Sequence, residues 1–259
     1  MTYVAWLRVR RVLLRYGIFL GILFALAIVS IATALAGSHG HHANMLIYQH
    51  KSHTEDIGFG WILAGAITAA YLIVPALGAN LDAEYRAAAI AFTRPISRYV
   101  LAAQYFAVDA AGLAIAAVMG LVIALSVVGA LGGFPYVTFG PDTAVHVVLA
   151  LCVAVMWYGW VLLAAALFPG RGNAMIGVSW AFALFVPGLA LMPLPTLFHD
   201  IAVAITYLDP LAYLGSNGPE SDNLLVFTSP GIRAAAALLI GVVAVAVGTR
   251  LWATREVTA

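Results

Sequence analysis

Residues 99–131 read YVLAAQYFAVDAAGLAIAAVMGLVIALSVVGAL, thirty-three positions with a single charged side chain, Asp109. A helix crosses a hydrocarbon core ~30 Å thick with about 20 apolar residues. This run is therefore long enough to span, and to tilt or project beyond the bilayer. It does not alternate apolar with polar residues, and it is rich in Ala and Leu, so a barrel strand is a poor reading. Working outward, five more stretches have the same character: about 16–36, 57–78, 146–168, 174–194 and 232–252. The expected fold is all-α, a polytopic membrane protein with six transmembrane helices in one domain spanning residues 1–259.

The whole chain agrees. Of 259 residues, 64% are hydrophobic and 9% charged, the formal charge is +1, and the mean hydropathy is +1.01. Soluble globular chains are about 45–50% apolar and about 25% charged. A water-soluble enzyme of this size would need more polar surface than is present. Intrinsic disorder is excluded for the same reason, and no basic excess exists to neutralise nucleic-acid phosphates. Cys152 is the one cysteine, so no intrachain disulfide forms and no cysteine-based metal or redox motif can be built.

Arginines set the orientation. Arg8, Arg10, Arg11, Arg15, Arg86, Arg94, Arg98, Arg171, Arg250 and Arg255 all fall on one side if there are six spans, and only Lys51 and Arg233 fall on the other. The positive-inside rule then puts both termini in the cytoplasm. The start of the chain mimics a signal peptide, with Ala34-Leu35-Ala36 before Gly37. Its apolar run exceeds the usual ~7–15 residues, so retention is expected.

Four connecting regions carry further information. Residues 1–15 interleave Trp6, Leu7, Val9, Val12 and Leu13 with four arginines, the pattern of an amphipathic interfacial helix. Residues 80–98, NLDAEYRAAAIAFTRPISR, predict a short cytoplasmic helix over about 81–93. Asn80 or Asp82 caps it, Glu84 sits in its first turn, Ala87 to Phe92 continue it with good helix formers, and Pro95 stops it. Ser97 caps the next span. Such a helix is suited to docking a soluble partner. In the first outer loop stand His39, His41, His42, His50 and His53, five of the seven histidines. Without cysteine or zinc-site spacing they read better as a solvated polar loop than as metal ligands. The last outer loop holds an apolar piece, 197–208, too short to span and long enough for a re-entrant or interfacial helix.

Absent motifs narrow the chemistry. No Gly-Lys-Ser/Thr run is present to cradle phosphates, and there is no His-Glu-x-x-His or Gly-x-Ser-x-Gly. Within the spans, Asp109 is the acid that stands out, and an intramembrane acid is a functional candidate by default. A structural hydrogen bond and a place in a transport pathway both fit it. His146 and Arg233 lie near outer span ends, where exposure is easy. Pro75 and Pro187 mark kinks or breaks in the second and fifth spans.

Residues 80–98 resemble the cytoplasmic segment of type-2 ABC transporter permeases. The resemblance rests on the acidic stretch Asp82-Ala83-Glu84-Tyr85-Arg86 followed by Arg94-Pro95-Ile96-Ser97-Arg98. It extends to six spans, cytoplasmic termini, the Leu208-Asp209-Pro210-Leu211-Ala212-Tyr213-Leu214 phrase and the ending Arg255-Glu256. One departure is Ala87-Ala88-Ala89, where many relatives carry an Arg-Glu-x-Gly-Thr-like run. The resemblance implies half of a transmembrane dimer, of identical or different chains, in the inner (plasma) membrane. Separate cytoplasmic ATPase subunits would bind ATP and Mg, so this chain would hold no cofactor and no catalytic site. Asp82, Glu84, Tyr85, Arg86, Phe92, Arg94, Pro95 and Arg98 would couple to them, and membrane lipid would be the remaining partner.

The expected function is the permease subunit of an ATP-driven exporter. One branch of that family serves metalloenzyme maturation, with copper as the metal in question, and the histidine loop keeps that branch open. From a different class, an ion-coupled secondary transporter would need several buried ionisable groups or inverted repeats. An integral-membrane enzyme would need paired acids, which the sequence lacks.

Overall fold

The computed structural model describes residues 2–37, 57–79, 97–130, 134, 137–140, 142–190, 195–214 and 229–254. The described chain is mostly helical. Its elements are α1 (Thr2–Gly37), β1 (Ile57–Gly58), α2 (Phe59–Ala69), a 3-10 turn (Ala70–Leu72), α3 (Val74–Gly78), α4 (Arg98–Ala130) and β2 (Val137–Thr138). There follow α5 (Asp142–Leu167), α6 (Gly172–Ala190), α7 (Thr196–Thr206), a second 3-10 turn (Leu211–Leu214) and α8 (Pro230–Thr254). Three helices are long and apolar enough to cross a bilayer: α4, α5 from Ala144, and α8. Ile18, Phe19 and Ile22 on α1, Val118 and Val122 on α4, and Leu239 and Val243 on α8 are exposed. An apolar exterior of this kind suits a hydrocarbon solvent, and the chain is a membrane protein.

The core is organised on α5. More than half of its apolar window (56%) is buried, against 17% for α4 and 33% for α8. Lipid tails are as apolar as leucine, so helices in a membrane associate by close packing rather than by hydrophobic exclusion. Along α8, Ala234, Ala237, Gly241, Ala244 and Gly248 recur at three- and four-residue spacing and are all buried. They form one stripe of small side chains. A Cβ on Gly241 would lie 2.7 Å from Met156 N, one on Gly159 2.5 Å from Gly241 O, and one on Gly248 3.1 Å from Leu163 Cα. The two backbones touch here, which only glycine allows.

These contacts also fix helix direction. Met156, Gly159 and Leu163 meet Gly241, Ala244 and Gly248 at a constant numbering offset, so α5 and α8 run parallel. Gly17 faces Met119 and Gly112 faces Val9, so α1 runs parallel to α4. Gly120 faces Ala66 while Gly112 faces Leu77, so α2 and α3 run against α4. Arg98 Nη1 donates to Ala253 O at 2.8 Å, which joins the start of α4 to the end of α8. The turn between α5 and α6 is four residues long, closed by Arg171 N–H donating to Phe168 O, with Gly170 in the left-handed region (φ 76°). The starts of α1, α4 and α6 and the ends of α3, α5 and α8 therefore share one end of the bundle. Arg98, Arg171 and Arg250 lie at that end, while Arg8, Arg10, Arg11 and Arg15 follow the start of α1 and lie level with the stretch of α4 around Gly112 to Met119.

Several expectations change in detail. Residues 2–15 are not set off from the run that follows: α1 is one continuous helix. The 57–78 stretch is not an unbroken helix. Pro75 has no N–H, and its ring would strike the carbonyl four residues back, so the chain passes through the 3-10 turn at Ala70–Leu72. Tyr71, in that turn, donates its hydroxyl to Ala150 O of α5 at 2.5 Å. The sequence contained no strand signal, yet β1 and β2 form a two-residue parallel ladder, Ile57 with Val137 and Gly58 with Thr138. Phe59 against Phe139 (4.9 Å between centroids) and Trp61 stacked on His146 (3.8 Å) extend that clasp at the end opposite the arginines.

The α5–α8 seam is open to a direct check. Gly159→Leu should lower stability by about 1–3 kcal/mol or more, because the new side chain has no space beside Gly241. Gly177→Ala on α6, where an added Cβ meets nothing within 4 Å, should stay within about 0.5 kcal/mol. Thermal melting of both variants in detergent compares them.

Candidate functional site

Three places carry chemistry-bearing side chains, and the first is the arginine-bearing end. Of the residues the resemblance marks for coupling, Arg98 is described. Asp82, Glu84, Tyr85, Arg86, Phe92, Arg94 and Pro95, with the expected 81–93 helix, lie outside the described residues. Their flanks are defined. Ala79 ends α3 buried against α5, and Leu101 N–H donates to Ser97 O where α4 starts. Both flanks sit at the same end as the start of α1 and the end of α8. The five loop histidines His39, His41, His42, His50 and His53 also lie outside the described residues.

The second place is about a third of the way along α4. Asp109 is buried (3% exposed), eleven residues from the start of the helix and so about 16 Å along it. Tyr158 of α5 donates its hydroxyl to Asp109 Oδ2 at 2.8 Å. A charged side chain in hydrocarbon must be paired or hydrogen-bonded, and this phenol contributes one such bond. Phe106, one turn before Asp109, packs edge-on against the same Tyr158 ring, centroids 6.0 Å apart. One turn after it, Gly112 admits Val9 of α1. The acid thus stands where three helices meet. Sequence reading found Asp109 but not its partner, because Tyr158 sits in an unremarkable apolar run. The signal available was the acid's requirement for a donor on a facing helix.

The third place is the segment between α6 and α8. After α7, Thr206 Oγ1 donates back to Ala202 O, and the chain turns through Tyr207–Asp209. Asp209 is fully buried; its Oδ1 accepts the Leu211 N–H at 3.0 Å, closing the turn into the second 3-10 element. Its Oδ2 has no partner among the described residues. Burial pushes this carboxyl up from 3.8 to about 7, partly offset by the Leu211 N–H. Tyr213 donates to Tyr207 O at 2.8 Å and packs into the core with Val153 and Trp157 of α5. Pro210 reaches Trp157 and Trp160, where a cavity of about 70 Å³ remains against Met175 and Phe182 of α6. Sequence reading marked Asp209 as part of the Leu208–Leu214 phrase; the structure buries it.

Arg233 needs the opposite correction to the easy exposure expected of it: it is 2% exposed. The reason is helical phase, since Arg233 is four residues before Ala237 and eight before Gly241, on the stripe that packs against α5. His146 is partly buried by its stacking on Trp61.

No protein-family model matches the chain, and no curated protein or solved structure is found similar to it. The site therefore stands on its own geometry.

Two outcomes follow. Tyr158→Phe should cost about 1–3 kcal/mol by removing one hydrogen bond to the buried Asp109 carboxylate, and Asp109→Asn should weaken the same bond from the other side. A double-mutant cycle read by thermal melting tests the coupling. For Asp209, a raised folded-state pKa means that the fold holds the proton more tightly than the unfolded chain. Both states are protonated below about pH 4, and above about 7 the folded chain carries a buried charge, so stability should fall as pH rises through that window. Melting temperatures between about pH 4.5 and 7.5 should show the decline, and Asp209→Asn should flatten it.

Proposed function

We propose that this chain is the membrane-spanning subunit of an ATP-driven exporter of the type-2 ABC kind, working as one half of a dimer in the inner (plasma) membrane. Six helices cross: α1, α2 with α3, α4, α5, α6 and α8. Both termini face the cytoplasm, and the segment between α6 and α8 re-enters from the outer side. Separate ATPase subunits, which hold ATP and Mg, dock beneath on the segment between Ala79 and Ser97. Asp82, Glu84, Tyr85, Arg86, Phe92, Arg94, Pro95 and Arg98 are the contact residues.

The observation that carries this reading is the gathering at one end of the bundle of four things. They are the start of α1, both flanks of the 80–96 segment, the α5–α6 turn and the end of α8, with Arg98, Arg171 and Arg250 among them and the Arg98–Ala253 hydrogen bond joining two of the helices. The positive-inside rule assigns that end to the cytoplasm. A force applied there reaches α4 directly, since α4 starts one residue after Ser97, and reaches α8 through Arg98. The sequence has no phosphate-binding loop, so the work has to be done by a partner.

Purification of the intact complex from membranes should yield an ATPase subunit with the permease. Glu84→Arg, or deletion of 81–92, should abolish that co-purification by at least ten-fold, as expected when an interface residue worth about 1.4 kcal/mol or more is lost. The permease should still elute as a folded species. Transport of an ion by the purified chain in liposomes without ATP would overturn the reading in favour of a secondary transporter centred on Asp109.

A further inference from the structure

Between α4 and α8, on the outside of the bundle, runs a groove of about 470 Å³. Tyr99 and Phe106 of α4 form one wall, Val242, Val245 and Thr249 of α8 form the other, and Val155 of α5 is the floor. The two walls are antiparallel, as the Arg98–Ala253 hydrogen bond requires, so Tyr99 lies level with Thr249 and Phe106 level with Val242. Each wall is seven residues long, about 10 Å at a rise of ~1.5 Å per residue. Half of a ~30 Å hydrocarbon core is about 15 Å. The groove thus runs from the arginine-bearing end through about two thirds of one leaflet.

Among the described residues its mouth is positively charged. Arg250 follows Thr249, is exposed, and has no acidic partner among the described residues. The first turn of α4 directs backbone N–H groups to the same place, and a helix start favours an anion. The exposed Tyr99 phenol lies at the level where tyrosines anchor to headgroups. Among the described residues every charged side chain at this end is an arginine, which favours the phosphate of a headgroup over its ammonium.

We propose that this groove is a binding site for an anionic phospholipid of the leaflet at the arginine-bearing end. One acyl chain lies along Phe106, Val155, Val242 and Val245, and the phosphate meets Arg250 and the first turn of α4. The site is independent of the exporter reading, since it needs only a bilayer around the helices. Its thermodynamic role is to fill the space that α4 and α8 leave open between Tyr99–Phe106 and Val242–Thr249.

The test is native mass spectrometry and thermal melting of the detergent-purified full chain, with phosphatidylglycerol, phosphatidylcholine and inorganic phosphate as probes. Wild type should retain phosphatidylglycerol over phosphatidylcholine by about five-fold, the worth of one arginine at an anionic surface. Arg250→Gln should bring the two lipids level. Ala246→Phe, which projects a ring into the groove from α8, should lose both while Arg250→Gln keeps residual binding. If Ala246→Phe does not fold, Val242→Phe at an exposed position serves instead. Equal retention of the two lipids by wild type would overturn the proposal. So would an unchanged preference in Arg250→Gln, stabilisation by inorganic phosphate alone, or a groove variant that abolishes self-association while lipid retention stays intact.

Discussion

Close backbone approach between α5 and α8 is the constraint on which the rest of the structure depends. In water, helices are driven together by burying apolar surface. In a bilayer that drive is absent, and dispersion contacts between closely fitted surfaces must replace it. The stripe Ala234, Ala237, Gly241, Ala244 and Gly248, facing Gly159, lets two backbones meet without side chains between them. Other elements are then arranged around α5. Tyr71 anchors the broken second span to it, Tyr158 reaches from it to α4, and Tyr213 packs the last connecting segment onto it. Glycines at 112 and 120 repeat the device on α4, admitting Val9 and the Ala66 backbone.

Polar groups inside this framework are few, and the helix packing gives them their meaning. Asp109 lies where α1, α4 and α5 converge and accepts from Tyr158. Arg233 is buried on the α8 stripe, and Asp209 ends a turn that presses inward against Trp157 and Trp160. All three are at helix junctions rather than on lipid-facing surfaces. This is where the physics allows them, because facing protein supplies hydrogen-bond partners that hydrocarbon does not.

Much of the architecture was legible as hydropathy. The long apolar runs at 99–131, 146–168 and 232–252 became α4, α5 and α8 within a few residues, and 197–208 became α7. What hydropathy conveys is length and solvent, not facing. It gave no account of the parallel β1–β2 clasp, which depends on two loops meeting in space. Nor did it show that Arg233 and Asp209 turn inward, since both looked like ordinary polar residues near a membrane boundary. Pro75 announced a break in its span, but the exact place of the 3-10 turn follows from Tyr71 finding Ala150, a contact seventy-nine residues away. Asp109 was conspicuous because charge is costly there; Tyr158 was hidden because a tyrosine in a membrane is common. The residues expected to couple to a partner were read from a local motif, and apart from Arg98 they lie outside the described residues.

The continuity of α1 has a mechanical consequence. Thirty-six residues in one helix extend about 54 Å, with arginines on its first turns and Gly37 at the far tip. A rod without an elbow acts as a lever. A tilt of a few degrees about the Val9–Gly112 contact would carry that tip, about 42 Å away, through several ångströms.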